Sequence, residues 1–265
     1  MRSGAKRRDA TAAAAAMACL ALIGLLACGG GGKSDGRREI VVYAAASTTD
    51  LLTEAADSFT TQSGVEVGFE FASSGSLARK IEAGSPTDIF VSANEHWIEY
   101  AAEQGLLENG RSVMFACNTL VFVEPAELPS GLTSPADLAG AERISMGDPE
   151  HVPAGRYAKE ALEHYGLWEG LTVGEKLVLT FNVSTALSYV EQGGVTGGIV
   201  YSTDAIRSEK VTTAFTFPDE SHKPVTYHAG LVSNTESRQD ALAFLQFLGS
   251  AQFYGILEKH GFRQP

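Results

Sequence analysis

Four short segments of this chain share one design: an apolar run ends, small or hydroxyl-bearing residues follow, and a helical pattern begins. They are Tyr43-Ala44-Ala45-Ala46-Ser47-Thr48-Thr49-Asp50, Phe71-Ala72-Ser73-Ser74-Gly75-Ser76, His151-Val152-Pro153-Ala154-Gly155 and Phe181-Asn182-Val183-Ser184. A helix start leaves backbone N–H groups unbonded and carries a partial positive charge, so it suits an anion. Small residues let the backbone come close to such a ligand. Four starts meeting at one point would hold an anion with no charged side chain. Taken singly, each reads most simply as a cap worth about 1 kcal/mol. Ser47 reads as an N-cap with Asp50 at the acid position of a capping box. Pro153 suits a first helical turn, and Asn182 reads as a cap.

Such segments need a scaffold that brings them together. From Glu39 onward strand-like and helix-like stretches alternate. Strands are predicted at 40–43, 65–71 and 89–91, the second from strict alternation. Helices are predicted through Leu51, Leu52, Ala55, Ala56 and Phe59, from Ser74 to a stop at Gly84, and over 97–107. A second set has strands at 119–124, 144–146, 176–180 and 198–201 and helices at 154–165 and 185–192. The tail adds a strand at 225–232 and a helix at 238–248. This alternation implies an α/β fold with mostly parallel sheets. In such folds the loops at the carboxyl ends of strands gather where ligands bind.

The first residues are a separate object. Arg2, Lys6, Arg7 and Arg8 precede an Ala-rich apolar stretch over 10–27, closed by Cys28, which reads as a secretory signal. Leu25-Leu26-Ala27-Cys28 resembles the lipobox of bacterial lipoproteins, whose cysteine becomes the lipidated first residue. An uncleaved anchor is the alternative, because the stretch approaches a minimal membrane span. Cys19 is the weaker lipidation candidate. Glycines and polar residues follow over 29–36, and residues 28–38 read as the lipidated cysteine and a flexible tether. The 265 residues carry a net charge of −12, which argues against a nucleic-acid partner. Loss of residues 1–27 removes those four bases and Asp9, leaving 16 basic against 31 acidic residues, a net −15. An anion must then be attracted locally. With Cys28 acylated, Cys117 has no disulfide partner and reads as a buried thiol.

From Glu39 to Phe262 the chain resembles the molybdate-binding periplasmic proteins of bacterial ABC importers. The resemblance rests on the first two segments above, then on Ile81-Glu82-Ala83-Gly84-Ser85-Pro86-Thr87-Asp88-Ile89-Phe90-Val91-Ser92-Ala93. The most specific stretch is Gly147-Asp148-Pro149-Glu150-His151-Val152-Pro153-Ala154-Gly155-Arg156-Tyr157-Ala158-Lys159-Glu160-Ala161-Leu162, and Gly198-Ile199-Val200-Tyr201-Ser202-Thr203-Asp204-Ala205 completes the series. The resemblance implies a two-lobed type II periplasmic-binding fold, with lobe 1 at 39–118 plus 224–265, lobe 2 at 119–223 and the ligand between them. It implies a tethered monomer that passes molybdate, and tungstate with it, to the permease of an importer, in the periplasm or at the outer face of the cell membrane. Carried over, Ser47 and Ser74 give backbone N–H and hydroxyl, Ala154 and Val183 give backbone N–H, and Tyr201 gives its phenol hydroxyl. Gly75 departs from relatives that often carry a third hydroxyl there, which predicts a looser loop. The neighbours of Val183 differ from the commoner charged ones, and His228 stands where Pro is expected.

Molybdate is a dianion near neutral pH, so a pocket of donors alone suits it and disfavours protonated phosphate. Sulfate would be separated by size. No cofactor is implied. An enzyme is the first rival, but Phe71-Ala72-Ser73-Ser74-Gly75 lacks the first Gly of a nucleophile elbow, and no base is placed to activate either serine. A binder of sulfate or of a small organic acid, and an oxyanion sensor, are the others. Arg79 and Arg156, the clamps an organic acid would use, face away on their helices. His151 reads as a loop stabiliser, the other histidines show no metal spacing, Asp88 and Asp204 read as local caps or pairs, and Trp97 and Trp168 as core.

Overall fold

The structure is a computed structural model that describes residues 38–265. The predicted signal, Cys19, Cys28 and the tether up to residue 37 lie outside the described residues.

Strand β1 (Arg38–Ala45) is followed by helix α1 (Thr49–Ser63), which buries Leu51, Leu52, Ala55, Ala56 and Phe59 and stops at Gly64 in the left-handed conformation. Strand β2 (Val65–Ala72), helix α2 (Ser74–Glu82) and the fully buried β3 (Ile89–Ser92) follow as expected. Helix α3 (Glu95–Glu103) is shorter than predicted, because Gly105 turns the chain at φ +70° and Leu107 already belongs to β4 (Leu107–Asn118). No strand pattern is legible there, since the first half of β4 is mostly polar and exposed.

After the single residue Thr119 the chain enters β5 (Leu120–Pro125) and a second sheet. There follow β6 (Ile144–Gly147), α4 (Pro153–His164), α5 (Trp168–Val173), β7 (Leu177–Thr180), α6 (Val183–Glu191), β8 (Gly197–Tyr201), α7 (Ser202–Ile206) and β9 (Val211–Thr216). Strand β10 (Val225–Val232) returns to the first sheet, and α8 (Arg238–Phe247) and α9 (Ala251–Lys259) close the chain.

The strand orders are β2-β1-β3-β10-β4 and β7-β6-β8-β5-β9, so the two lobes repeat one plan. Neither sheet is mostly parallel. β1 pairs in parallel with β2 and β3, but β10 is antiparallel to both its neighbours. β6 pairs in parallel with β7 and β8, and β5 is antiparallel to β8 and β9. Helical crossovers make β1, β2 and β3 parallel in one sheet and β6, β7 and β8 parallel in the other. β5 and β10 arrive from the other sheet and escape that constraint. A buried apolar cluster runs through both sheets, and a smaller one around Tyr43, Leu77, Phe90 and Trp97 sits under α2 and α3.

The start of α4 lies hard against the end of β6. A Cβ on Gly155 would stand 2.1 Å from the Gly147 carbonyl oxygen. Gly155→Ala is therefore expected to lower stability by about 1–3 kcal/mol through overpacking. Urea unfolding would show a lower midpoint at an unchanged slope.

Candidate functional site

Each of the four segments lies where a strand gives way to a helix. β1 runs into a tight 3-10 turn, Ala46–Thr48, before α1 begins. The hydroxyls of Thr48 and Thr49 donate back to the carbonyls of Ala45 and Ala46 at 2.7 and 2.8 Å. Ser47 is thus not the N-cap of α1, and the expected capping box with Asp50 does not form. Asp50 lies instead 3.7 Å from Arg207 of the other lobe. Ser47 is buried, and its Oγ accepts a hydrogen bond from the Tyr227 hydroxyl at 3.1 Å.

At α2 the cap is Ser73, whose Oγ accepts the Ser76 N–H at 3.3 Å. That frees Ser74, the first helical residue. It is fully buried, and its Oγ accepts the Ala93 N–H at 3.1 Å. Pro153 opens α4, and the Arg156 N–H bonds to the Val152 carbonyl, so the amides of Ala154 and Gly155 precede the intrahelical ladder. Asn182 caps α6 as expected, its Oδ1 accepting the Thr185 N–H at 2.8 Å, and Val183 is the first residue of that helix. Tyr201 ends β8. It is 1% exposed, and its hydroxyl has no hydrogen-bond partner.

Ser47, Ser74, Ala154, Val183 and Tyr201 all lie on the wall of one cavity between the lobes, of about 10 Å³. Ligand pockets for drug-sized molecules run to about 300–1,000 Å³, so this one suits only a compact guest. Its wall holds no Asp, Glu, Lys, Arg or His. It offers hydroxyls and helix-start amides, which is chemistry for an anion. Arg156 lines larger grooves outside it, and Arg79 sits 5.9 Å from the Trp97 ring. Neither arginine reaches the cavity.

Burial raises the pKa of Tyr201 well above that of a free phenol, with the neighbouring Tyr227, Tyr157 and Asp204 adding to it. Tyr227 and Tyr157 shift the same way, also by burial. These phenols keep their protons and remain donors. Asp204 accepts the Tyr201 N–H at 3.2 Å and lies 3.2 Å from Arg207, the local role expected of it. Burial lifts its pKa to about 6, against the pull of Arg207.

Two contacts span the cleft beside the cavity. The Gly75 N–H donates to the His151 carbonyl at 3.0 Å. A Cβ on Gly75 would meet that oxygen at 2.6 Å and the Trp97 ring at 2.5 Å. The expected loosening of this loop is not seen, because the missing side chain lets the two lobes touch. The His151 ring stays beside Asp148 at 4.0 Å, within its own loop. On the other side, Arg207 reaches Asp50 and donates to Ser184 Oγ at 3.0 Å.

The remaining candidates fall outside the cavity. Cys117 is free and half-buried rather than buried, and its backbone pairs with Arg263. Asp88 accepts the Val41 N–H at 2.7 Å. Trp97 is core, whereas Trp168 is half-buried with Lys159 over its ring. Among the described residues no cluster of His, Cys, Asp and Glu could hold a metal ion, and no helix is long and apolar enough to cross a membrane. Tyr227 and Asn118, which stand behind Ser47, carried no signal in the sequence.

Residues 40–263 match the family described as bacterial extracellular solute-binding protein. The chain belongs to that family. Members bind solutes outside the cytoplasm, and the comparisons set this solute-binding protein apart from enzymes. It is 40% identical over 223 residues to the molybdate-binding protein ModA of Haemophilus influenzae, covering 81% of this chain and 85% of the relative. It is 38% identical over 220 residues to ModA of Escherichia coli, covering 81% and 84%. The periplasmic molybdate-binding protein of Azotobacter vinelandii shares its two-lobed type II fold, with a TM-score of 0.77 at 24% identity, over 85% of this chain and 99% of that one.

Asp204 also sets a pH dependence. Its folded pKa lies above the unfolded value of 3.8. The folded state therefore holds the extra proton between about 4 and 6, and stability from this group is lost as pH rises through that window. The stability of the wild type relative to Asp204→Asn is expected to fall from pH 4 to pH 7, read from urea unfolding at each pH.

Proposed function

We propose that this solute-binding protein captures molybdate, and tungstate with it, and delivers it to the permease of an ABC importer. The observation that carries this reading is the Tyr201 hydroxyl, buried without a partner on the wall of a cavity that also presents two serines and three helix starts. A dianion with four acceptor oxygens satisfies every one of those donors. Each hydrogen bond to a charged oxygen contributes about 1.5–3 kcal/mol. No carboxylate stands on the wall to take the proton of hydrogen phosphate. Stiff main-chain donors favour a guest of one size, which disfavours the smaller sulfate. Molybdate and tungstate are nearly the same size, so these donors do not separate them. The relatives named for molybdate support the same choice.

In this reading Ser47 and Ser74 bind by hydroxyl and amide, Ala154 and Val183 by amide, and Tyr201 by hydroxyl. The lobes comprise residues 39–118 plus 224–265 and 119–223, and they close on the ligand as a monomer. The chain is held at the membrane by an acyl group on Cys28, after loss of residues 1–27.

Titration calorimetry of the mature chain tests the ligand. One-to-one binding of molybdate and tungstate, with sulfate and phosphate far weaker, is expected. Heat with sulfate alone, or with none of the four, would overturn the reading. Tyr201→Phe is expected to weaken molybdate binding by about 1.5–3 kcal/mol. Cys28→Ser is expected to move the protein from the membrane fraction to the soluble one, and unchanged membrane retention would remove the acyl anchor from the proposal.

A further inference from the structure

The two serines of the cavity are held by the same device. Each hydroxyl oxygen receives a hydrogen bond from behind, which leaves its own proton for the cavity. For Ser74 the donor is the Ala93 N–H at 3.1 Å, a main-chain group that cannot reverse. For Ser47 the donor is the Tyr227 hydroxyl at 3.1 Å, a group that can either donate or accept. Its direction is fixed one step further back. Asn118 Oδ1 faces the Thr119 N–H at 2.8 Å and the Ser202 hydroxyl at 2.9 Å. The Thr119 amide can only donate, so this atom is the carbonyl oxygen of the side chain. Asn118 Nδ2 then donates to the Thr203 hydroxyl at 2.9 Å and to the Tyr227 oxygen at 3.2 Å. Tyr227 is fully buried, and Ser47 Oγ is the acceptor its proton meets. A buried phenol proton without an acceptor is destabilising, so the chain of bonds runs one way, from Asn118 to Tyr227 to Ser47 to the cavity.

We infer that Tyr227 and Asn118 are positioning residues that keep the Ser47 proton off the phenol and available as a donor to an oxyanion in the cavity. This rests on the oxyanion reading above. A serine whose oxygen takes the Tyr227 proton does not spend its own proton on that phenol, which leaves it for a guest in the cavity. Burial keeps the Tyr227 phenol protonated, as this role requires. Asn118 is also the last residue of β4, at the crossing between the lobes, and its side chain holds Ser202 and Thr203, the two residues after Tyr201. One amide thus ties the hydroxyl of one lobe to the helix start beside the tyrosine of the other.

The test is a double-mutant cycle on the mature chain, titrated with molybdate, sulfate and hydrogen phosphate near neutral pH. The wild type comes first, and its failure to bind any oxyanion would sink the oxyanion reading itself and this inference with it. Given binding, Tyr227→Phe is expected to weaken molybdate about tenfold, the scale of one net hydrogen bond. Sulfate should lose in proportion, since it would take the same donated proton. In a Ser47→Ala background Tyr227→Phe should change little. Asn118→Asp, whose carboxylate draws the Tyr227 proton to itself, should weaken molybdate likewise with the phenol intact. The same loss with and without Ser47 would show that Tyr227 acts through packing alone and would overturn the inference.

Discussion

A buried hydroxyl without a partner costs a folded protein about 1–3 kcal/mol, and the rest of this structure holds the Tyr201 hydroxyl in that condition. The tyrosine ends β8 at the carboxyl edge of its sheet, wedged between Tyr157 and Tyr227, with ring centroids 6.5 and 5.9 Å away. Asp204 takes its backbone amide, and Arg207 holds Asp204. None of these neighbours offers the hydroxyl an acceptor. The cavity it faces has no carboxylate either. In the proposed reading an acceptor from outside completes it.

The fold supplies that arrangement by repeating one plan twice and threading the chain between the copies. Each sheet ends its central strands at the cleft, and each strand end opens a helix start. Because β4 passes to β5 through Thr119 alone, the connection is short where the lobes meet. Asn118 sits at that point with bonds to both sides. On the flanks of the cleft, Gly75 touches His151 and Arg207 reaches Asp50. The second of these pairs is exposed and contributes at most about 1 kcal/mol. The first works through the absence of a side chain.

Much of this was legible in local sequence grammar. Strict alternation marked β2, and helical spacing marked the buried face of α1. The capping letters Asn182 and Pro153 mark the starts of α6 and α4 where they occur. Ser73 and Ser74 show the limit of that grammar, since two adjacent serines offer the same letters and only the geometry assigns the cap to the first. Ser47 reads as a cap for the same reason and proves to lie in a 3-10 turn, where threonine hydroxyls do the local bonding. β4 escaped because half of it is polar and exposed on one edge of the sheet. Tyr227 and Asn118 escaped because their partners are far away in the chain, 180 residues from Tyr227 to Ser47 and 109 from Asn118 to Tyr227. Periodicity reports which face of a strand is buried and is silent on which hydroxyl waits there.

The wall of the cavity is lined mostly by small residues. In the proposed binding mode Ala154 and Val183 give main-chain N–H groups, and their side chains serve mainly by being small. Replacing such a residue with any other than proline leaves its N–H in place. Recognition written in this way is carried by the path of the backbone rather than by the identities of the amino acids along it. A lineage can therefore exchange the letters at these positions and keep the same guest, while a small shift of one helix axis, with every letter intact, would change it.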